Sequence, residues 1–308
     1  MKNQCEDITE LEIQGICNRM KREKEIQRMY HYTSMDTFFK IVKDVKDGIF
    51  TFRAGSVYTM NDRQEMKLGY DYIKKIIPEI DKKRNISPED RFLHYTTEIE
   101  KNKNIEENFG DWLINDDTTC FVVSFSKTPD ILPMWSLYGD KGAGVCLEFS
   151  PDIIEQYYKT NNEKYFHIEE CVYNEDMIRR FLERPIEHYY DMYLKSKVSN
   201  ENVLTQKARY FATLCCTAGA YIKYPGFEYE KEIRMSVLRN KKDWQFNETS
   251  YHNRSVYVEV PIPINALTGL IVGPTANMSD VRNPIIMYLR AKGICINPVQ
   301  SKIPFRLY

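Results

Sequence analysis

The spacing of apolar and polar positions changes several times along this chain, and each change marks an element. Residues 6–28 are rich in charge and read as a helix, so 1–28 is expected to form an N-terminal helical extension. At Met29 the pattern breaks. Residues 29–32 read as a short strand, and Ser34 is placed to cap a helix. Phe38, Phe39, Ile41, Val42 and Val45 supply the apolar stripe of that helix, and Gly48 stands where a glycine stop belongs. Residues 49–52 are a second strand, 55–65 a loop and 65–77 a helix; Ser87-Pro88 opens a charged helix to about residue 108. Further strands are expected at 120–125, 145–149, 229–238, 256–260, 267–272 and 294–296. Residues 134–138 form a helical turn, 175–223 are mostly helical with Pro185 kinking or splitting them, and Ser279 caps a helix to Gly293. Strands at both ends and helices between them predict an α+β fold with a mixed, mainly antiparallel sheet and a helical insertion. Residues 29–308 are read as one domain, with 175–223 as a helical subdomain.

Composition narrows the class. A chain of 308 residues can bury a sizeable core, and 43% hydrophobic with 28% charged residues describes a globular protein. The net charge of -1 supplies no global field toward nucleic acid or an anionic membrane. No run of about 18 apolar residues occurs, so no membrane span or membrane partner is expected. The N-terminus lacks the apolar core of a signal peptide. The eight cysteines sit mostly in apolar stretches such as Val145-Cys146-Leu147, which fits reduced thiols in the cytoplasm better than disulfides. There is no P-loop, CxxC pair, HExxH or GxSxG, and the five histidines are scattered, so no metal site is expected.

Two segments carry the most chemistry. In a strand over 229–238, Ile233, Met235 and Val237 share one face, and Glu230, Glu232, Arg234 and Ser236 the other. Carboxylates at i and i+2 would stand roughly 6.5–7 Å apart. Breaking a sugar C–N bond through an oxocarbenium-like state needs a nearby carboxylate. A solvated strand face with Glu–Arg pairs is the plainer alternative. The second segment is Tyr30-His31-Tyr32-Thr33-Ser34, where a strand histidine beside a helix N-terminus can meet a ribose hydroxyl or phosphate, or can be a buried structural histidine. Tyr58, Asn61, Asp62 and Glu65 mix aromatic, amide and acidic groups in a loop that is also ordinary turn chemistry. Trp135 and Tyr138, three apart, form either a stacking wall for a flat ring or plain core.

Taken in order, Tyr30-His31-Tyr32-Thr33-Ser34, Asn61-Asp62 with Glu65, Ser124-Phe125-Ser126, Met134-Trp135 with Tyr138, Gly144-Val145-Cys146, Tyr229-Glu230-Lys231-Glu232-Ile233-Arg234 and Ile271-Val272-Gly273 resemble a bacterial family catalogued as domain-of-unknown-function family 2971. A second resemblance is to ADP-ribosyltransferase folds of the His-Tyr-Glu type, carried by the strand ending His-Tyr-Thr, the helix, the glycine and the strand that follow. That resemblance implies NAD as substrate, with His31 on a ribose and Tyr32 and Thr33 beside it. It also implies Tyr58 or Tyr138 stacked on nicotinamide, Glu232 as the catalytic carboxylate and Glu230 as its neighbour. Asn61, Trp135 and Arg234 complete the expected binding set. Such an activity would suit a toxin or phage-defence effector.

Three readings follow. The first is an NAD-dependent transferase moving ADP-ribose to a protein, nucleic acid or small-molecule acceptor, without a metal. The second is a non-catalytic nucleotide- or protein-binding regulatory module. The third is a nuclease or nucleotide hydrolase using Asp62, Glu65 and Glu230 around a divalent ion. The first requires His31 and Glu232 to face one cleft, and a blocked site or a distant His31 favours the second.

Overall fold

The computed structural model describes residues 26–57, 65–94, 118–163, 166–196, 211, 214–215, 217–246 and 256–305. In chain order, β1 (Met29–Thr33), α1 (Met35–Lys43) and β2 (Ile49–Ser56) lead to α2 (Glu65–Arg84). Next come β3 (Thr118–Ser126), α3 (Leu132–Leu137), β4 (Val145–Phe149) and α4 (Pro151–Thr160). They are followed by β5 (Phe166–Glu170), α5 (Glu175–Ser196) and β6 (Glu232–Asn240). β7 (Gln245–Phe246), β8 (Val256–Pro263), β9 (Leu267–Val272), α6 (Met278–Arg290) and β10 (Val299–Gln300) complete the described chain. The fold is α+β with a mostly antiparallel sheet, and only β10 and β9 pair in parallel among the described ladders.

β3 organises this sheet. One of its edges pairs with β6 from Thr118↔Asn240 to Ser126↔Glu232. The other edge is shared: β1 meets it at Tyr30↔Ser126, and β2 meets it at Gly55↔Val122 and Ser56↔Phe121. The sheet therefore splits at β3. One branch runs through β1, β4, β9 and β10, the other through β2, β8 and β7, while β5 lies outside β6. Strand alternation sorts the side chains into two cores. Phe121, Val123 and Phe125 of β3 join Ile233, Met235 and Val237 of β6 with Phe50, Phe52, Leu147 and Phe149. Cys120 and Val122 point the other way and pack with α2 and α5 residues such as Ile73, Ile77, Leu182 and Tyr190. No described helix is long and apolar enough to cross a membrane.

Several local expectations are corrected. α1 ends at Lys43, and Gly48, with Asp47, is a positive-φ residue of the turn into β2 rather than the helix stop. β2 continues through Ser56 because its pairing with β8 extends to Gly55. α2 runs to Arg84 through Pro78, and α5 runs through Pro185 without splitting. Pro88–Asp90 is a 3-10 turn; the helix expected as far as 108 falls largely outside the described residues. α4 and β5 were not expected. Asn277, not Ser279, caps α6, its side chain accepting from the Ser279 N–H. The closing strand is β10, while 294–298 lack regular structure.

Candidate functional site

The Tyr-Glu-Lys-Glu segment is not one strand. Pro225–Glu230 is a 3-10 turn, Lys231 is left-handed with φ 43°, and β6 begins at Glu232. The left-handed residue turns the chain so that the two carboxylates converge instead of standing side by side on a pleat. They meet on Lys223, a residue that no sequence motif marks. Lys223 Nζ donates to Glu230 Oε2 and to Glu232 Oε2, the latter at 2.6 Å. Arg234 closes the far side of Glu232, Nε to Oε1 at 2.9 Å and Nη2 to Oε2 at 3.1 Å, and its Nη1 donates to the Ala220 carbonyl. The Glu232 N–H donates to the Tyr173 hydroxyl at 2.8 Å, and Ser126 Oγ donates to the Glu230 carbonyl at 2.8 Å.

All four charged groups are buried: Lys223 is 6% exposed, Glu230 3%, Glu232 4% and Arg234 0%. Two carboxylates and two cations balance, as charges at depth must. Burial works against the charge on Glu232, but Arg234 and then Lys223 outweigh it and hold the carboxyl down at about 2. Burial likewise opposes the Lys223 charge, and Glu232 more than offsets it, so the ammonium is held above its ordinary value. Both partners are therefore locked in their ionised forms, and Glu232 has both oxygens engaged.

Solvent reaches this quartet's surroundings at one end. The Tyr138 hydroxyl, just beyond α3, donates to Glu230 Oε1 at 2.8 Å, and 36% of the residue is exposed. Burial and the Glu230 charge raise the Tyr138 pKa, so it stays a neutral donor. Exposed Tyr224 precedes the 3-10 turn that carries Glu230, exposed Tyr229 lies within it, and exposed Leu137 precedes Tyr138. Lys223 Nζ also lies 5.0 Å from the centroid of the Phe227 ring. The result is an apolar, tyrosine-rich surface over a neutralised charge cluster.

The expected His31 partnership does not form. Tyr30 pairs with Ser126, which sets His31 across from Phe125. Its ring packs edge-on to Phe52 at 5.3 Å and Phe125 at 5.6 Å, and Nδ1–H donates to the Ser124 carbonyl at 3.0 Å. Phe125 pairs with Ile233 on the aromatic core face, whereas Glu232 pairs with Ser126 and points to the other. His31 and Glu232 therefore lie on opposite faces of the sheet. His31 is half-buried, and the enclosure of its ring depresses its pKa. Tyr32 is on the Glu232 face, but its hydroxyl donates to the Thr128 carbonyl and accepts from the Ile131 N–H. Its ring packs against Trp135 at 4.9 Å. Trp135 is fully buried and donates to Asp130 Oδ1 at 2.8 Å. Thr33 is buried at the β4 pairing. These three residues are packing, so the structure brings together Glu230, Glu232, Arg234 and Tyr138 of the expected set and separates His31, Tyr32, Thr33 and Trp135 from them. Tyr58, Asn61, Asp62 and the Glu65 side chain lie outside the described residues. Among the described residues no group of three or more His, Cys, Asp or Glu side chains is arranged to hold a metal.

The quartet's four members lie within positions 223–234, and only Lys223 lacked a sequence signal. Seven residues before Glu230, it belongs to neither strand nor helix, and the turn that brings it back is not periodic. No curated protein and no solved structure matches the chain. Residues 134–235, which include Trp135, Tyr138, Lys223, Glu230, Glu232 and Arg234, match a family described as "Protein of unknown function (DUF2971)". Across that third of its length, the chain is similar to the family its ordered motifs resemble.

Proposed function

We propose that this chain is a nucleotide-binding regulatory module that holds a planar ring against Tyr138 without turning the ligand over. The observation that carries this reading is the closure of Lys223, Glu230, Glu232 and Arg234 on one another beneath a part-exposed Tyr138. A catalytic carboxylate must stabilise charge that appears only in the transition state. Glu232 is already neutralised by two cations, so little of its field is left for a developing oxocarbenium ion. A rigidly held tyrosine at the surface is suited to stacking, with few rotors to immobilise.

A second reading, glycosyl transfer from NAD, is favoured by the strand order. β1, with His31, and β6, with Glu232, flank the same strand β3, and both motifs lie near its Ser126 end. One experiment separates the two readings. NAD is titrated calorimetrically into the chain while free nicotinamide is measured in the same mixture with candidate acceptors present. Binding without nicotinamide release supports the module, and metal-independent release with ADP-ribose recovered on an acceptor supports the transferase. Absence of both effects, with other nucleotides also failing to bind, overturns both readings.

A further inference from the structure

We propose that Lys223 is a positioning residue that fixes Tyr138 through Glu230, so that the orientation of the surface ring is set from inside the sheet. This inference rests on the ligand platform proposed above only for its functional consequence; the structural part stands alone. Glu230 is the bridge. Its Oε1 accepts from Tyr138 at 2.8 Å and its Oε2 accepts from Lys223. Lys223 is itself held at both ends. Its backbone N–H donates to the Val172 carbonyl at 3.0 Å, and its Nζ reaches Glu232 at 2.6 Å. Glu232 is fastened to β6 by Arg234 and at its own N–H by Tyr173. The chain of contacts thus runs from a strand in the sheet to a tyrosine at the surface through residues with little freedom to move.

Charge dictates what happens when Lys223 is lost. Arg234 would then be the one remaining cation of the four, facing two buried carboxylates. Glu230 loses the ammonium that holds its Oε2, so its carboxylate no longer keeps the native position. That shift moves the acceptor that holds the Tyr138 hydroxyl. A lysine that merely fills space or closes a turn would leave Tyr138 unaffected.

The test places 3-fluorotyrosine at position 138 of the full chain and records its fluorine resonance. In Lys223→Met the resonance should move toward the position of an exposed tyrosine and broaden. Lys223→Arg, which keeps the cation, should recover part of the native shift. Retention of the native resonance in folded Lys223→Met overturns the proposal. Where that variant does not fold, the charge-balanced double variant Lys223→Met with Glu230→Gln decides, because the amide introduced by Glu230→Gln has no ammonium to anchor it; a native resonance there also overturns it. Failure of both variants to fold counts against it as well, since it would make Lys223 structural. NAD affinity, followed in parallel, should weaken at least about tenfold in Lys223→Met, a loss of about 1.4 kcal/mol. A shifted resonance with no NAD binding by the unsubstituted chain would retain the positioning role and discard the ligand reading.

Discussion

Replacing Glu232 by Gln removes one charge from the buried quartet and keeps the volume. Lys223 and Arg234 are then left with Glu230 as the one carboxylate of the group, and Arg234, at 0% exposure, loses the carboxylate it grips through Nε and Nη2. Removing one member of a buried ion pair costs roughly 3–5 kcal/mol. The carboxyl's own titration leads to a similar figure. A group held at about 2, against an ordinary 4.5, is stabilised in its charged form by roughly 3 kcal/mol at neutral pH. For a chain of this size that lowers the thermal midpoint by about 5 °C or more. The same linkage predicts the pH dependence. A depressed carboxyl stabilises the fold above its unfolded value, and that contribution is lost as pH falls from about 4.5 toward 2. The assay is thermal denaturation of both proteins at pH 7 and again near pH 3. The midpoints should differ clearly at pH 7 and approach each other in acid. Midpoints within a degree at pH 7, or a gap that widens in acid, would show that Glu232 is not locked by its two cations.

Three further outcomes follow from other positions. Lys231 holds a left-handed φ of 43°, a conformation that costs a side chain about 1–2 kcal/mol, less the 0.5–1 kcal/mol entropy penalty of glycine itself. Lys231→Gly should therefore raise the stability read from chemical denaturation slightly, by about 0.5–1 kcal/mol, and a loss of stability would contradict the strain. A Cβ on Gly144 would stand 2.1 Å from the Thr33 carbonyl oxygen and 2.9 Å from that of Gly139. Both obstacles are backbone, so Gly144→Ala should cost about 3 kcal/mol or more in chemical denaturation, and a neutral result would refute this packing. The depressed His31 pKa means the fold prefers the neutral ring, so stability should be lost as pH falls below about 6.5, with a slope of at most about 1.4 kcal/mol per pH unit. Stability curves between pH 7.5 and 5 should lose that component in His31→Phe; identical slopes would show that the ring is not enclosed.

Much of the fold was legible from periodicity. β1, the Ser34 cap, β3, β4 and β9 stand where alternation and cap residues put them, because each strand turns one apolar face to the aromatic core. The division of β6 was legible too: Ile233, Met235 and Val237 do share the core face opposite Glu232 and Arg234. The displacement of Glu230 from that strand was not. It depends on a left-handed conformation at a lysine, and lysine carries no preference that signals it. Alternation within β1 also separates His31 from Tyr32, but cannot say which of them shares a face with Glu232. That is settled by Tyr30↔Ser126 and Ser126↔Glu232, two long-range registers with no local signature. Lys223 was hidden for the same reason: its role arises from a turn, not a motif.

The opposite placement of Tyr138 and His31 allows the central claim to be tested directly. NAD affinity is measured by calorimetry for the unsubstituted chain, Tyr138→Ala and His31→Ala, each shown to be folded at the measuring temperature. A platform on the Tyr138 face predicts that Tyr138→Ala loses at least about tenfold in affinity, the share of a stacked ring. His31→Ala, on the other face, should stay within about twofold of the unsubstituted chain. The reverse pattern, with His31→Ala losing binding and Tyr138→Ala keeping it, would contradict the account and place the ligand at the split between β1 and β2.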